Sequence, residues 1–235
     1  MKGRTALVTG ASRGIGAAVA RALAMAGARV VLVARSAGEL SALAAELPNG
    51  AAPLPADLAQ PDATPTVAIA AREILGADPD ILVHAAGTFP MTRFENTTDA
   101  DLERALALNV AAPLRLTRAF LPAMRARRSG HVVMIGSIAD RQAFPDNSVY
   151  AATKHALRAA HEVLRAETRG SGVRATIISP AATDTPIWDP YDPDGSGHLP
   201  SRSDMLRAED VADAVLWAVT RPPHVDVDEL RLSRS

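Results

Sequence analysis

Thr5-Ala6-Leu7-Val8-Thr9-Gly10-Ala11-Ser12-Arg13-Gly14-Ile15-Gly16 opens the chain with an apolar run and closes on a glycine turn. The first five residues have the composition of a short buried strand. The glycines follow at G-x-x-x-G-x-G spacing, and Ala, Val and Leu of helical period come next. Glycines permit a tight turn and close backbone approach, and the N-terminus of the following helix offers free N–H groups to a pyrophosphate. The commoner spacing is G-x-G-x-x-G, and a glycine turn alone is weak evidence; the strand before it and the helix after it strengthen the case. No Lys-Ser or Lys-Thr pair closes the motif, which disfavours a phosphate-transfer loop.

The same alternation continues outward. Apolar runs at 29–34, 52–55, 81–84, 131–135, 174–179 and 229–232 join 5–9 as strand candidates, with helical patterns at about 14–26, 37–47, 61–75, 98–127, 149–169 and 208–220 between them. The runs are apolar on both faces, as a parallel sheet covered on both sides requires. The expectation is a single α/β domain over 1–235, a doubly wound Rossmann-like parallel sheet of about seven strands. One segment breaks the rhythm: 185–203 carries Pro186, Pro190, Pro193 and Pro200 with Gly195 and Gly197, which predicts a long loop without regular structure. It follows the carboxyl end of a strand, where open α/β sheets bind ligands, so it reads as a substrate lid.

Composition narrows the classes. Of 235 residues, 48% are hydrophobic and 22% charged, the mix of a globular protein that buries its own core. With no Cys there is no disulfide framework, thiolate nucleophile or Cys-based metal site. The net charge of −1 gives no reason to expect nucleic acid or an anionic membrane as partner. No targeting segment or membrane span is legible, and the expected location is cytoplasmic.

An NAD site places a carboxylate about 20 residues past the last glycine, for the ribose 2′-hydroxyl. This chain has Ala34-Arg35-Ser36 at the end of the second strand. Arg35 and Arg13 together suit a 2′-phosphate, with Ser36 as a hydrogen-bond donor, and so favour NADP(H) over NAD; the alternative is two ordinary solvated arginines. Tyr150 and Lys154 lie four apart at the start of a helix, on one face. A phenol titrates near 10. A neighbouring ammonium and an oxidised nicotinamide would lower that value, which suits proton exchange. Y-x-x-x-K alone usually marks a solvated helix face. Ser137, just past a strand end and thirteen positions before Tyr150, adds a hydroxyl that could hold a substrate oxygen. Asn109 sits in a helical pattern although Asn is a poor helix former.

With these pieces in order, the whole chain resembles the short-chain dehydrogenase/reductase family. The matching motifs are Thr9-Gly10-x-x-x-Gly14-x-Gly16, Asp57-Leu58, Ala85-Ala86-Gly87, Leu108-Asn109-Val110, Ser137, Tyr150-x-x-x-Lys154 and the segment Pro180 to Thr185. The resemblance implies Tyr150 as general acid/base and Lys154 as its pKa-lowering partner and ribose ligand. It implies Ser137 as the carbonyl-orienting hydroxyl and Asn109 as part of a water-linked relay to Lys154. The implied cofactor site comprises Gly10, Ser12, Arg13, Gly14, Ile15, Gly16, Arg35, Ser36, Asp57, Leu58, Ala85, Ala86, Gly87, Asn109, Tyr150, Lys154, Pro180, Thr183 and Thr185, with Asp57 on the adenine amino group and Thr185 on the carboxamide. A homodimer or homotetramer is implied by analogy.

Two departures stand out. The family's Asn-Asn-Ala-Gly reads His84-Ala85-Ala86-Gly87 here, with His84 more often structural than catalytic at such a place. Its Pro-Gly reads Pro180-Ala181, where Ala would cost about 1 kcal/mol if the backbone needed a positive φ.

The function expected is oxidoreduction of a small carbonyl compound or alcohol, with an NAD-dependent alcohol dehydrogenase as the alternative and a non-catalytic NADP-binding sensor disfavoured by the intact Ser–Tyr–Lys group. A hydrolase lacks its G-x-S-x-G elbow. Arg125, Arg127 and Arg128 read as a helix C-terminal cluster. Asp189, Asp192, Asp194 and His198 read as solvated loop rather than metal ligands, and His155 and His161 as surface residues. Substrate walls are expected from 88–94, from 138–147 with Asp140, Arg141 and Asp146, and from Ile187, Trp188 and Tyr191.

Overall fold

The computed structural model describes all residues, Met1–Ser235. Nine strands and eight α-helices follow one another in the order β1 (Thr5–Thr9), α1 (Gly14–Met25), β2 (Arg29–Ala34), α2 (Ala37–Glu46), β3 (Ala52–Pro55), α3 (Ala63–Leu75), β4 (Ile81–His84), α4 (Asp99–Leu106), α5 (Ala112–Ala126), β5 (Gly130–Ile135), α6 (Ser148–Thr168), β6 (Val173–Pro180), β7 (Thr183–Asp184), α7 (Pro193–Ser196), β8 (Leu206–Arg207), α8 (Ala208–Val219) and β9 (Glu229–Leu232). Seven strands form one parallel sheet in the order β3-β2-β1-β4-β5-β6-β9, and β7 and β8 make a small separate pair.

The unbroken apolar runs of the strands divide between two cores. From β1, Ala6 and Val8 face one side and Leu7 the other; from β2, Val30 and Leu32 oppose Val31 and Val33; from β4, Ile81 and Val83 oppose Leu82. Val19 and Leu23 of α1, Leu40 of α2 and Val215 of α8 complete the first core. Val67 of α3, Leu116 and Phe120 of α5 and Leu157 of α6 complete the second. At about 1.5–3 kcal/mol per buried large side chain, this two-sided burial is the main driving force of the fold.

The strand order reverses between β1 and β4, so the loops after these two strands part and leave a crevice at their carboxyl ends. The seven main strands fall where the apolar runs predicted them. The pattern expected as one helix over 98–127 is interrupted: a π-helical turn, Ala107–Ala111, separates α4 from α5. Pro113 has no N–H to return to the carbonyl of Asn109 four residues back, which is a local reason for the ladder to slip there. The segment over 185–203 also differs from expectation. It is built of short helices, a 3-10 run Pro186–Tyr191 followed by α7, with another 3-10 turn at Arg202–Asp204.

Candidate active site

A cleft of about 940 Å³ runs along the carboxyl ends of the strands. Its floor begins at the glycine turn. Gly10 has φ +67, and a Cβ there would stand 2.7 Å from the backbone nitrogen of Ala86; one on Gly16 would stand 2.1 Å from the carbonyl oxygen of Gly10. Only glycine lets these backbones meet. Helix α1 starts at Arg13 with no side chain capping it and no acidic residue in its first turn, so its N–H groups remain available to an anion in the cleft. This cradle fits a dinucleotide pyrophosphate.

Around it the cleft is lined by Ser12, Arg13, Gly14, Ile15, Arg35, Ser36, Asp57, Leu58, Ala85, Ala86, Gly87, Lys154, Pro180, Thr183 and Thr185, all expected there. Arg13, in the turn after β1, and Arg35, directly after β2, are both exposed. The Thr9 hydroxyl accepts from the N–H groups of Ala85 and Ala86, each at 3.1 Å, and shapes the turn after β4. His84 pairs with the Thr117 hydroxyl at 2.9 Å, and burial pushes its imidazole down to about 3, so it is a neutral structural group. Ala181 is not among the residues of positive φ, so the departure from Pro-Gly carries no backbone strain.

At the β5 side of the cleft, Ser137, Tyr150 and Lys154 come together. Ser137 caps a 3-10 turn, its hydroxyl accepting from the N–H of Ala139 at 3.1 Å. Lys154 donates from Nζ to the carbonyl of Ile135 at 2.8 Å, and the same nitrogen lies 5.5 Å from the centre of the Tyr150 ring. The expectation of a lowered phenol is corrected for the chain by itself. Burial pushes Tyr150 up to about 12, against a downward pull from the neighbouring Ser137 hydroxyl, and Asp140 adds to the rise. Burial brings the Lys154 ammonium down to about 8, with Asp140 opposing. Burial raises a phenol because it disfavours the charged form, and the Lys154 nitrogen stands 5.5 Å from the ring centre.

Asn109 is 1% exposed and lies behind the cleft rather than in it. Its amide is fully engaged: Oδ1 accepts from the N–H of Thr88 at 2.8 Å, and Nδ2 donates to the Thr88 carbonyl at 2.9 Å and the Thr153 hydroxyl at 3.0 Å. Thr153 in turn donates to the Tyr150 carbonyl at 2.8 Å. This link from the π-turn to the helix of Tyr150 was missed in the sequence, where a Thr before Lys154 carries no signal of its own.

Aromatic rings cluster beside Tyr150. Phe89 packs edge-on against Tyr150 at 4.7 Å, Trp188 at 5.0 Å and Tyr191 at 5.6 Å. The Tyr191 hydroxyl donates to the Phe89 carbonyl at 2.6 Å and accepts from the N–H of Met91 at 3.1 Å, clasping the 185–203 segment to the loop after β4. Arg202 ties the base of the same segment by pairing with Asp184 at 2.6 Å and Asp189 at 2.7 Å. Tyr191→Phe removes two hydrogen bonds worth roughly 1–2 kcal/mol together, so KM for substrate is expected to rise several-fold in steady-state kinetics with cofactor Kd unchanged.

Expectations for Phe94, Asp140, Arg141 and His161 change. Phe94 is 80% exposed and is no wall, Asp140 is buried behind the wall, and Arg141 turns to Glu229. His161 is buried beside Asp228 rather than at the surface. Asp192 accepts from the N–H of Gly195 and Asp194 from that of Arg202. Arg125, Arg127 and Arg128 bond backbone carbonyls of Glu167, Ser129 and Gly170. No helix is long and apolar enough to cross a membrane.

The chain is similar to known proteins along nearly all of its length. Glycine betaine reductase ATRR of Emericella nidulans is 38% identical over 98% of this chain, which spans only 18% of that protein's length. An uncharacterized oxidoreductase of Staphylococcus epidermidis is 32% identical over 99% of this chain and 97% of its own. The solved structure of an alcohol dehydrogenase from the archaeon Thermococcus sibiricus, complexed with 5-hydroxy-NADP, superposes with a TM-score of 0.87 at 28% identity, covering 97% of this chain and 95% of that one. Residues 4–195 match the family described as short chain dehydrogenase. The chain thus belongs to the short-chain dehydrogenase/reductases, a family of oxidoreductases, and its doubly wound sheet is that of their solved structures.

Proposed function

We propose that the chain transfers a hydride between NADP(H) and a small carbonyl compound or its alcohol. One observation carries this reading: Ser137, Tyr150 and Lys154 line the same cleft as Arg13 and Arg35. The nicotinamide, when bound, supplies or accepts the hydride. Ser137 holds the carbonyl oxygen, Tyr150 gives or takes its proton, and Lys154 binds the cofactor ribose and favours the phenolate. Arg13 and Arg35 neutralise a 2′-phosphate, which NADH lacks.

The test is a fluorescence titration with NADPH and with NADH. NADPH is expected to bind at least about tenfold tighter, and Arg35→Ala to erase about 1.4 kcal/mol of that preference. Equal or tighter NADH binding selects the NAD-dependent alcohol dehydrogenase instead.

The substrate wall favours an apolar body: Phe89, Phe144, Ile187, Trp188 and Leu199 line it, and Arg234 at the cleft is drawn toward Asp204 at 3.6 Å. A second reading follows from the aromatic faces, from Asp146 in the same wall and from the relative named for glycine betaine, a quaternary ammonium compound. Aromatic rings attract such cations. Comparing kcat/KM for a neutral aldehyde and its trimethylammonium counterpart chooses between them, and a cation preference that Asp146→Asn weakens supports the second.

A further inference from the structure

Behind the wall that carries Ser137 lies a carboxylate with no part in the chemistry above. Asp140 is 1% exposed. Its Oδ2 accepts from the hydroxyl of Ser179, itself fully buried in β6, at 2.6 Å. Its Oδ1 lies 3.8 Å from Nε of Arg141, whose other side pairs with Glu229 of β9. A buried charge is retained only where partners offset its desolvation, and here one hydroxyl and one guanidinium do so.

The pair shapes the turn that presents Ser137. The N–H of Asp140 donates to the Ser137 carbonyl at 3.0 Å. At Gly136, one residue before Ser137, a Cβ would stand 2.8 Å from Oγ of Ser179 and 3.1 Å from Oδ2 of Asp140. The glycine therefore leaves the room in which Asp140 and Ser179 meet; their bond pins one end of the Ser137 turn to β6, and the Gly136 N–H, donating to the Ile178 carbonyl at 2.7 Å, pins the other. The charge also acts on α6, where it raises the proton affinity of both Tyr150 and Lys154. The charged or titratable groups facing it are Arg141 on its own turn, Tyr150 and Lys154 on α6, and Glu229 on β9 through Arg141; β6 contributes only the neutral Ser179.

Resting on the oxidoreductase reading, we propose that Asp140 is a positioning residue: its bond to Ser179 fixes the turn carrying Ser137, and that turn, packed against α6, brings a carboxylate to the helix of Tyr150 and Lys154. The sign follows directly. A negative charge near a phenol disfavours phenolate, and near an ammonium favours the cation, so removing it moves both ionisations to lower pH.

The chain has 2 Tyr, so the ultraviolet absorbance of phenolate resolves Tyr150 once a Tyr150→Phe protein has supplied the Tyr191 background. The titration is made with saturating NADP⁺ and needs no substrate. Asp140→Asn keeps an acceptor for Ser179 but not the charge, and is expected to lower the Tyr150 midpoint by about one pH unit. The rising limb of kcat/KM for alcohol oxidation should move with it. Arg141→Gln leaves the carboxylate uncompensated and should raise the midpoint, a second test if Asp140→Asn does not fold. Ser179→Ala keeps the charge and frees the turn, so kcat/KM should fall without a shift. An unmoved midpoint in a folded Asp140→Asn protein, or in Arg141→Gln if the former does not fold, overturns the proposal, as does an equal shift in Ser179→Ala. Absence of turnover with every carbonyl compound would count against the proposed function and leave this titration readable.

Discussion

Tyr150→Phe is expected to lower kcat by at least about 10³-fold while leaving NADPH affinity nearly unchanged. The substitution removes one oxygen and keeps the ring that packs against Phe89 at 4.7 Å and lies under Lys154, so the wall and the cofactor end of the cleft stay in place. General acid/base groups contribute about 10²–10⁴-fold, and the Ser137 hydroxyl cannot stand in, because no base replaces the lost phenol. Single-turnover kinetics beside a fluorescence titration separate the two quantities. A folded Tyr150→Phe protein that retains a tenth or more of the turnover would remove Tyr150 from the proton-transfer step.

Gly16→Ala is expected to weaken NADPH binding by at least tenfold, about 1.4 kcal/mol, and to destabilise the fold. Two effects compete. Ala is the better helix former by about 0.5–1 kcal/mol. Its Cβ, however, would stand 2.1 Å from the Gly10 carbonyl oxygen and 3.2 Å from the Ala11 nitrogen, both backbone atoms of the anion cradle. Overpacking of this kind costs about 1–3 kcal/mol, so the clash outweighs the propensity gain and the turn must open. A fall in Tm of a few degrees and the loss of affinity should appear together. Gly38→Ala is the matched control, since a Cβ there meets nothing within 4 Å and α2 should be unchanged or slightly firmer. Unaltered NADPH affinity in Gly16→Ala would refute the cradle.

Much of the molecule was legible residue by residue. The strands of the main sheet were readable because a doubly covered parallel strand has to be apolar on both faces, as Val30 to Val33 are. The cradle was readable because only glycine allows the contacts at Gly10 and Gly16, and the Tyr150–Lys154 pair because four residues is one helical turn.

What tertiary structure alone decided is of another kind. The amide of Asn109 is turned away from the cleft onto Thr88 and Thr153, which are distant in the chain. The proline-rich segment over 185–203 is held by Tyr191 reaching back about a hundred residues to Phe89 and by Arg202 on Asp184 and Asp189. Asp140 reads in sequence as a polar wall residue and is in fact a buried partner of Ser179. Local pattern determines which backbone conformation and which buried face a segment takes, because those depend on neighbours three or four residues away. The proton affinities of Tyr150 and Lys154 depend on desolvation and on charges brought in from other elements, and these exist only once the chain has folded.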